Sequence, residues 1–183
     1  GTVLLGLLLL VAVYLVLVTV LAKRSPWAFL SQIRDVPLLA FSTSSSAAVM
    51  PLSMQVAEEK LGVSRNVSQF VIPLGATVNM DGTALYQVTA AVFMTQVFGV
   101  DLSLGEFVLL AFTTIGASIG SPSTPGVGIV ILASVLQGIG VPAEGIAMIL
   151  GVDRILDMSR TSVNVTGDLT ATVVLDRMLG REA

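Results

Sequence analysis

The sequence predicts an all-α membrane protein built from two interrupted helical hairpins and discontinuous helices. Three observations carry this prediction. Of the 183 residues, 54% are hydrophobic and 11% charged, and mean hydropathy is +0.93, whereas a soluble domain averages about 25% charged residues. Long uncharged stretches are broken near their middles by small polar residues, glycine and proline. Finally, Asp153, Arg154, Asp157, Arg160 and Asp168 gather in one late stretch, GVDRILDMSRTSVNVTGDLTATVV. Charges at membrane depth are costly and usually line a pathway or a site.

The elements follow in order. Residues 3–22 carry no charge, are long enough to span about 30 Å of hydrocarbon, and end at Lys23 and Arg24. Residues 1–24 are therefore assigned to a transmembrane helix. Residues 36–57 are uncharged, but STSSS at 42–46 breaks them, Pro37 and Pro51 flank the break, and neither half is long enough to cross. This predicts a re-entrant hairpin over 25–64. Residues 67–98 are apolar except for NMDGT at 79–83, which gives an interrupted transmembrane helix over 65–100. The uncharged stretch between Glu106 and Glu144 is broken by GSPSTPG at 120–126, which gives a second re-entrant hairpin over 101–142. The charged stretch belongs to a final transmembrane helix within 143–183, closing on Arg177 and Arg181.

Charge placement orients these elements. Lys23 and Arg24 precede the Ser-rich segment, and Lys60 and Arg65 follow it. The positive-inside rule puts both flanks in the cytoplasm, so that segment enters and returns. Asp101, Glu106 and Glu144 mark the outer side, from which the second hairpin enters. The two halves then repeat one plan, a hairpin followed by a crossing helix, in opposite orientations. Inverted repeats whose broken helices meet at the midplane are a secondary-transporter signature. Broken helices need a protein-lined or wet cavity. Their open ends supply donors for anions and carbonyls for cations.

In a helix Asp157, Thr161, Asn164 and Asp168 fall at i, i+4, i+7 and i+11 and share one face, with Arg160 beside it. Such a stripe would hold a zwitterion, with cation ligands nearby. The competing reading is an internal ion-pair network that locks helices together. Net charge is −3, and with no basic patch a nucleic-acid partner is not expected. The chain has no cysteine and no histidine. That excludes disulfides, thiolate or imidazole metal sites and Ser-His or Cys-His nucleophiles. Oxygen-bound alkali cations remain open. The chain starts at Gly1 inside an apolar run and is short for a transporter, so the expectation is one part of a larger membrane protein.

These motifs resemble the sodium-coupled glutamate/aspartate transporter family, the dicarboxylate/amino acid:cation symporters. The matching runs are STSSS (42–46), GATVNMDGTALYQ (75–87), ASIG (117–120), PGVG (125–128) and DRILDMSRTSVNVTGD (153–168). The resemblance covers nearly all of the chain from about Phe29. It implies a helical transport domain that moves like an elevator against a trimerising scaffold, whose helices lie outside this sequence. It further implies a multi-pass protein of the inner or plasma membrane, no enzymatic activity, sodium as coupling ion and no organic cofactor. Arg160 would pair with the side-chain carboxylate of aspartate or glutamate, Asp157 with the α-ammonium, and Asn164 with the α-carboxylate, helped by the backbone at Ser45 and Ser46. Thr83 and Thr161 would add hydroxyls, and Thr124 and Gly128 would close over the ligand. One sodium would use Asp168 with carbonyls of Gly75, Asn79 and Asn164. A second would use carbonyls of Thr77, Ser118, Ile119 and Ser121, under Met80. A third would involve Asp81 and Asn79.

The sequence departs from the family pattern twice. Many prokaryotic members carry a second arginine where this chain has Ser44, and animal members carry it where this chain has Met158; neither is present. The second tip is also richer in proline than usual. Alternatives on the same fold are a C4-dicarboxylate symporter, a neutral amino acid symporter or a proton-coupled member. Asp157 argues against a dicarboxylate, which has no ammonium, and an unmatched Arg160 argues against a neutral substrate. An intramembrane aspartyl protease would need two carboxylates sharing a proton, and the Asp157–Arg160 pairing opposes it.

Overall fold

The computed structural model describes residues 1–180; Arg181, assigned above to the inner end of the last helix, lies outside the described residues. All regular structure among the described residues is helical. The first helix, α1 (Thr2–Val20), is also the single described helix long and apolar enough to cross a membrane by itself. Its leucines and valines are exposed on most sides. Leu7, Tyr14 and Val18 are buried, and the helix packs on α1's main neighbour, the last helix, α9 (Ala147–Leu179).

Residues 25–64 form three helices. Ser25 caps α2 (Pro26–Ile33) through the Ala28 amide, and Pro26 occupies the first turn, where its missing N–H costs nothing. Helix α3 (Asp35–Thr43) ends at Ser44, which is left-handed (φ 52°, ψ 34°). Ser45 then caps α4 (Ser46–Glu59) by accepting from Ala48 N at 3.2 Å. Pro37 sits in the first turn of α3 and Pro51 inside α4. The break comes from Ser44 and the Ser45 cap, within the expected 42–46 stretch, and the two prolines flank it from inside the helices.

Helix α5 (Arg65–Val78) stops at Asn79, and α6 (Asp81–Val97) restarts after Met80, both residues being non-helical. A capping box between Ser103 and Glu106 starts α7 (Leu104–Ile119). Gly126, at φ +80°, turns the chain into α8 (Val127–Gly138), a conformation glycine adopts without steric cost. A 3-10 turn (Ala143–Ile146) leads into α9, which is 33 residues long.

Two apolar cores flank a polar layer, and α9 runs through all three. Val18, Phe29, Ile33, Val49, Ile72 and the Val165–Leu169–Val173 stripe of α9 build one core. Tyr86, Met94, Leu110, Leu132, Leu136 and Ile149 build the other. At the first core's end, Lys60 Nζ meets Asp35 Oδ2 at 2.7 Å, Arg24 donates to the Leu61 carbonyl at 2.6 Å, and Asp176 accepts from Ser64 N at 2.9 Å. These contacts gather the ends of α1, α4 and α9 with the starts of α3 and α5.

Candidate substrate and cation site

The middle of α9 carries the polar layer. Asp153, Asp157, Arg160, Thr161, Asn164 and Asp168 are all buried. Arg160 is 2% exposed, and a charge so enclosed must be paired. Its Nε and one terminal nitrogen donate to Asp157 Oδ1 at 3.1 and 2.7 Å. The guanidinium carbon lies 4.4 Å from the centre of the Tyr86 ring, an attractive cation–π arrangement. The other terminal nitrogen stands 3.9 Å from Asp153 Oδ1 and has no hydrogen bond. Asp153 accepts from the Tyr86 hydroxyl at 2.7 Å. Asp157 Oδ2 accepts from Gly126 N at 3.1 Å, so the carboxylate joins α9 to the start of α8.

Two helix tips close over this layer and touch. Ser45 Oγ donates to the Ser123 carbonyl at 2.7 Å, and Ser123 Oγ donates to the Ala76 carbonyl. Between them lies a cavity of about 20 Å³ lined by Ser46, Thr83, Thr124, Gly128, Asp157, Arg160, Thr161 and Asn164, among others. The expected ligand residues thus surround one space, with Ser45 on the adjoining tip. A β-carbon at Gly128 would collide with the Arg160 guanidinium, so glycine lets α8 approach the arginine. A larger cavity of about 820 Å³ lies between α7 and α8. It is mostly apolar, and its charged members, Asp101 and Glu106, are both acidic. It lacks the convergent groups of both signs that a zwitterion needs.

The expected cation ligands divide into three groups. Asn79 Nδ2 donates to the Asn164 carbonyl at 3.1 Å and to Asp168 Oδ1 at 2.9 Å. A β-carbon at Gly75 would strike Asp168, so Gly75, Asn79, Asn164 and Asp168 stand together. Asp81 starts α6, and the Tyr14 hydroxyl donates to its Oδ2 at 2.8 Å. The set at Thr77, Ser118, Ile119 and Ser121 is less assembled. The Ser118 carbonyl already accepts from Ser121 N at 3.1 Å and Ser121 Oγ at 2.8 Å, and Thr77 and Ile119 are exposed. Met80 is buried, its sulfur near Asn164 Nδ2 and the Thr83 hydroxyl.

Residue pattern alone left several participants unassigned. Gln87, wholly buried, donates to the Gly128 carbonyl at 3.1 Å and accepts from Ser118 Oγ at 2.7 Å. It therefore bridges both arms of the α7–α8 pair. Tyr86 and Gln87 end the run GATVNMDGTALYQ, which was their signal. Tyr14 was the lone aromatic of an otherwise mostly aliphatic α1. Ser123 had no signal beyond its place in the tip.

With the geometry in place, residues 1–178 match the sodium:dicarboxylate symporter family. The chain belongs to this family. It is 48% identical over 178 residues to a putative sodium-dependent excitatory amino acid transporter of Caenorhabditis elegans, covering 97% of this chain and 36% of that protein. It is 46% identical over 164 residues to the proton/sodium-glutamate symport protein of Bacillus subtilis (strain 168), covering 90% and 38%. It is 41% identical over 163 residues to excitatory amino acid transporter 3 of Mus musculus, covering 89% and 31%. The chain thus spans about a third of the length of the curated relatives it matches. The sodium:dicarboxylate symporters are membrane transporters rather than enzymes, which removes the protease reading.

Proposed function

We propose that the protein to which this chain belongs imports acidic amino acids, aspartate or glutamate, together with sodium. The buried Arg160–Asp157 pair carries this reading. A cavity of about 20 Å³ has room for roughly one water, so substrate entry requires the tips and Arg160 to move. Breaking a buried ion pair by removing one partner costs about 3–5 kcal/mol. An acidic amino acid avoids that cost because it brings both replacements. Its side-chain carboxylate takes the Arg160 fork bidentately, and its ammonium takes Asp157. Asn164 and the amides at the α4 start, near Ser45 and Ser46, receive the α-carboxylate. Thr83 and Thr161 add hydroxyls, and Thr124 and Gly128 close the second tip over the ligand.

Sodium occupies the oxygen-rich groups around Asp168, around Asp81 and Asn79, and at the α5 and α7 ends. Hard cations favour such oxygen ligands. On this reading the α3–α4 and α7–α8 pairs are re-entrant hairpins of an inverted repeat. The chain is the mobile part of a multi-pass trimer in the inner or plasma membrane, and it travels as an elevator. The family resemblance supports these statements, and the names of the relatives support the sodium coupling. Cysteines at Arg65 and Glu144 should then be labelled by an impermeant reagent from opposite sides.

The deciding experiment is binding of radiolabelled aspartate to the full-length protein in sodium and in choline. Binding should require sodium, and sodium and aspartate should raise each other's affinity by the same factor. Equal affinity in the two salts would reject sodium coupling. Competition by succinate or serine as strong as by aspartate would reassign the substrate to a dicarboxylate or a neutral amino acid.

A further inference from the structure

Tyr14 has no part in the mechanism above, yet it holds one of its carboxylates. It is 5% exposed, on a helix whose other buried residues are Leu7 and Val18. Its ring packs with Leu7 and Val163, while its hydroxyl donates to Asp81 Oδ2 at 2.8 Å. A β-carbon at Gly167 would sit 2.7 Å from that hydroxyl oxygen and would also strike the Asn79 amide. Gly167 therefore lets α1 and the α5–α6 break meet over α9. There, two neutral donors stand side by side, Tyr14 on Asp81 and Asn79 on Asp168. Asp81 itself is exposed at the surface of the described helices, so burial does not fix its rotamer.

We propose that Tyr14 is a positioning residue for cation coupling. Its hydroxyl pins one oxygen of Asp81 and thereby presents the other to the cation. This inference rests on the reading of Asp81 as a sodium-linked carboxylate. A carboxylate held in its bound orientation loses less freedom when the cation arrives, and a hydrogen bond to a charged group is stronger than a neutral one.

The test is Tyr14→Phe in the full-length protein, which keeps the ring packing and removes only the donor. Aspartate binding is titrated with sodium. The half-saturating sodium concentration should rise about tenfold, the scale expected for one charge-assisted hydrogen bond. The accompanying loss of apparent aspartate affinity should be recovered at saturating sodium. In an Asp81→Asn background the same substitution should have no further effect, because the two residues act as one unit. A sodium requirement that stays unchanged or tightens in Tyr14→Phe would overturn the proposal, as would an undiminished effect in the Asp81→Asn background. If the wild-type protein bound aspartate equally with and without sodium, the reading of the site would itself fall. A sodium-dependent wild type with an unaffected Tyr14→Phe variant would sink only the role given to Tyr14.

Discussion

The α3–α4 and α7–α8 pairs are built to different tolerances, although each ends in a small-residue tip over the same polar layer. The first pair turns within Ser44 and Ser45, and both its helices pack on α9, α4 also on α5. Val36, Ala40, Val49, Val56 and Ala57 anchor it in the first core. The second pair turns through seven residues, 120–126, and packs chiefly on α6. One side of it is bare: Phe112 is 70% and Val130 65% exposed. Near its tip it is held by discrete polar links, Gln87 to both arms, Gly126 N to Asp157, and Ser123 to Ala76. Burial of apolar surface is lost gradually, whereas a few hydrogen bonds are made or broken as a set. Both tips must part for substrate to enter, and we propose that α7–α8 opens further than α3–α4.

The contrast can be broken from the largest effect downward. Gly128→Ala should do most, since its methyl group would take the place of the Arg160 guanidinium and deny the substrate carboxylate its two-pronged partner. At about 1.5–3 kcal/mol for a bond to a charged group, aspartate affinity should fall on the order of a hundredfold in equilibrium binding. Gln87→Leu should come next. It removes the Gln87 bonds to the Gly128 carbonyl and to the Ser118 hydroxyl, which still donates to the Thr114 carbonyl at 2.8 Å, at about 1 kcal/mol per bond. A cysteine placed at Pro122, in a stretch with none of its own, should then react with a water-soluble thiol reagent on the order of tenfold faster. The same probe at Ala47, in the first pair, should not change its rate.

Ser45→Ala should cost less. It removes the α4 cap and the cross-tip bond, and cap loss typically costs about 1 kcal/mol. Aspartate affinity should drop a few-fold, about what that energy corresponds to. The exposed Lys60–Asp35 pair at the base of α3–α4 should matter least, because exposed ion pairs contribute little. The Lys60 hydrogen bond and charge hold the Asp35 carboxyl below its usual range. The small stability it lends is present above the ordinary carboxyl pKa and is lost as pH falls through the lowered one. A thermal-melt series should show that acid-side loss shrink in Lys60→Met.

How much of this was legible depended on how far the interacting residues lie apart in the chain. The breaks at 42–46, 79–83 and 120–126 could be read because small polar residues and glycine interrupt apolar runs locally. The stripe on α9 could be read because helical period alone puts Asp157, Thr161, Asn164 and Asp168 on one face. The roles of Tyr14, Tyr86 and Gln87 could not be read, since their partners lie between 31 and 67 positions away. The Asp157–Arg160 pairing was expected and is present, whereas the stacking of that guanidinium on Tyr86, far away in the chain, was not. The prolines flank the break as expected, from inside α3 and α4, and the left-handed Ser44 makes the turn. A positive φ at a serine has no local sequence marker.

Everything proposed for the site turns on Arg160 being exchangeable between Asp157 and a substrate carboxylate. The most direct measurement is competition binding of aspartate and of serine to the full-length protein carrying Arg160→Ala. At about 3–5 kcal/mol for an orphaned buried charge, aspartate affinity should fall by roughly two to three orders of magnitude. Serine should lose far less, since Asp157 and Asn164 still receive its ammonium and carboxylate. Arg160→Lys should restore only part of the aspartate affinity, because it returns the charge without the two-pronged fork. An equal loss for aspartate and serine would make Arg160 a structural lock between α9 and α6, and would contradict its role in selecting acidic substrates.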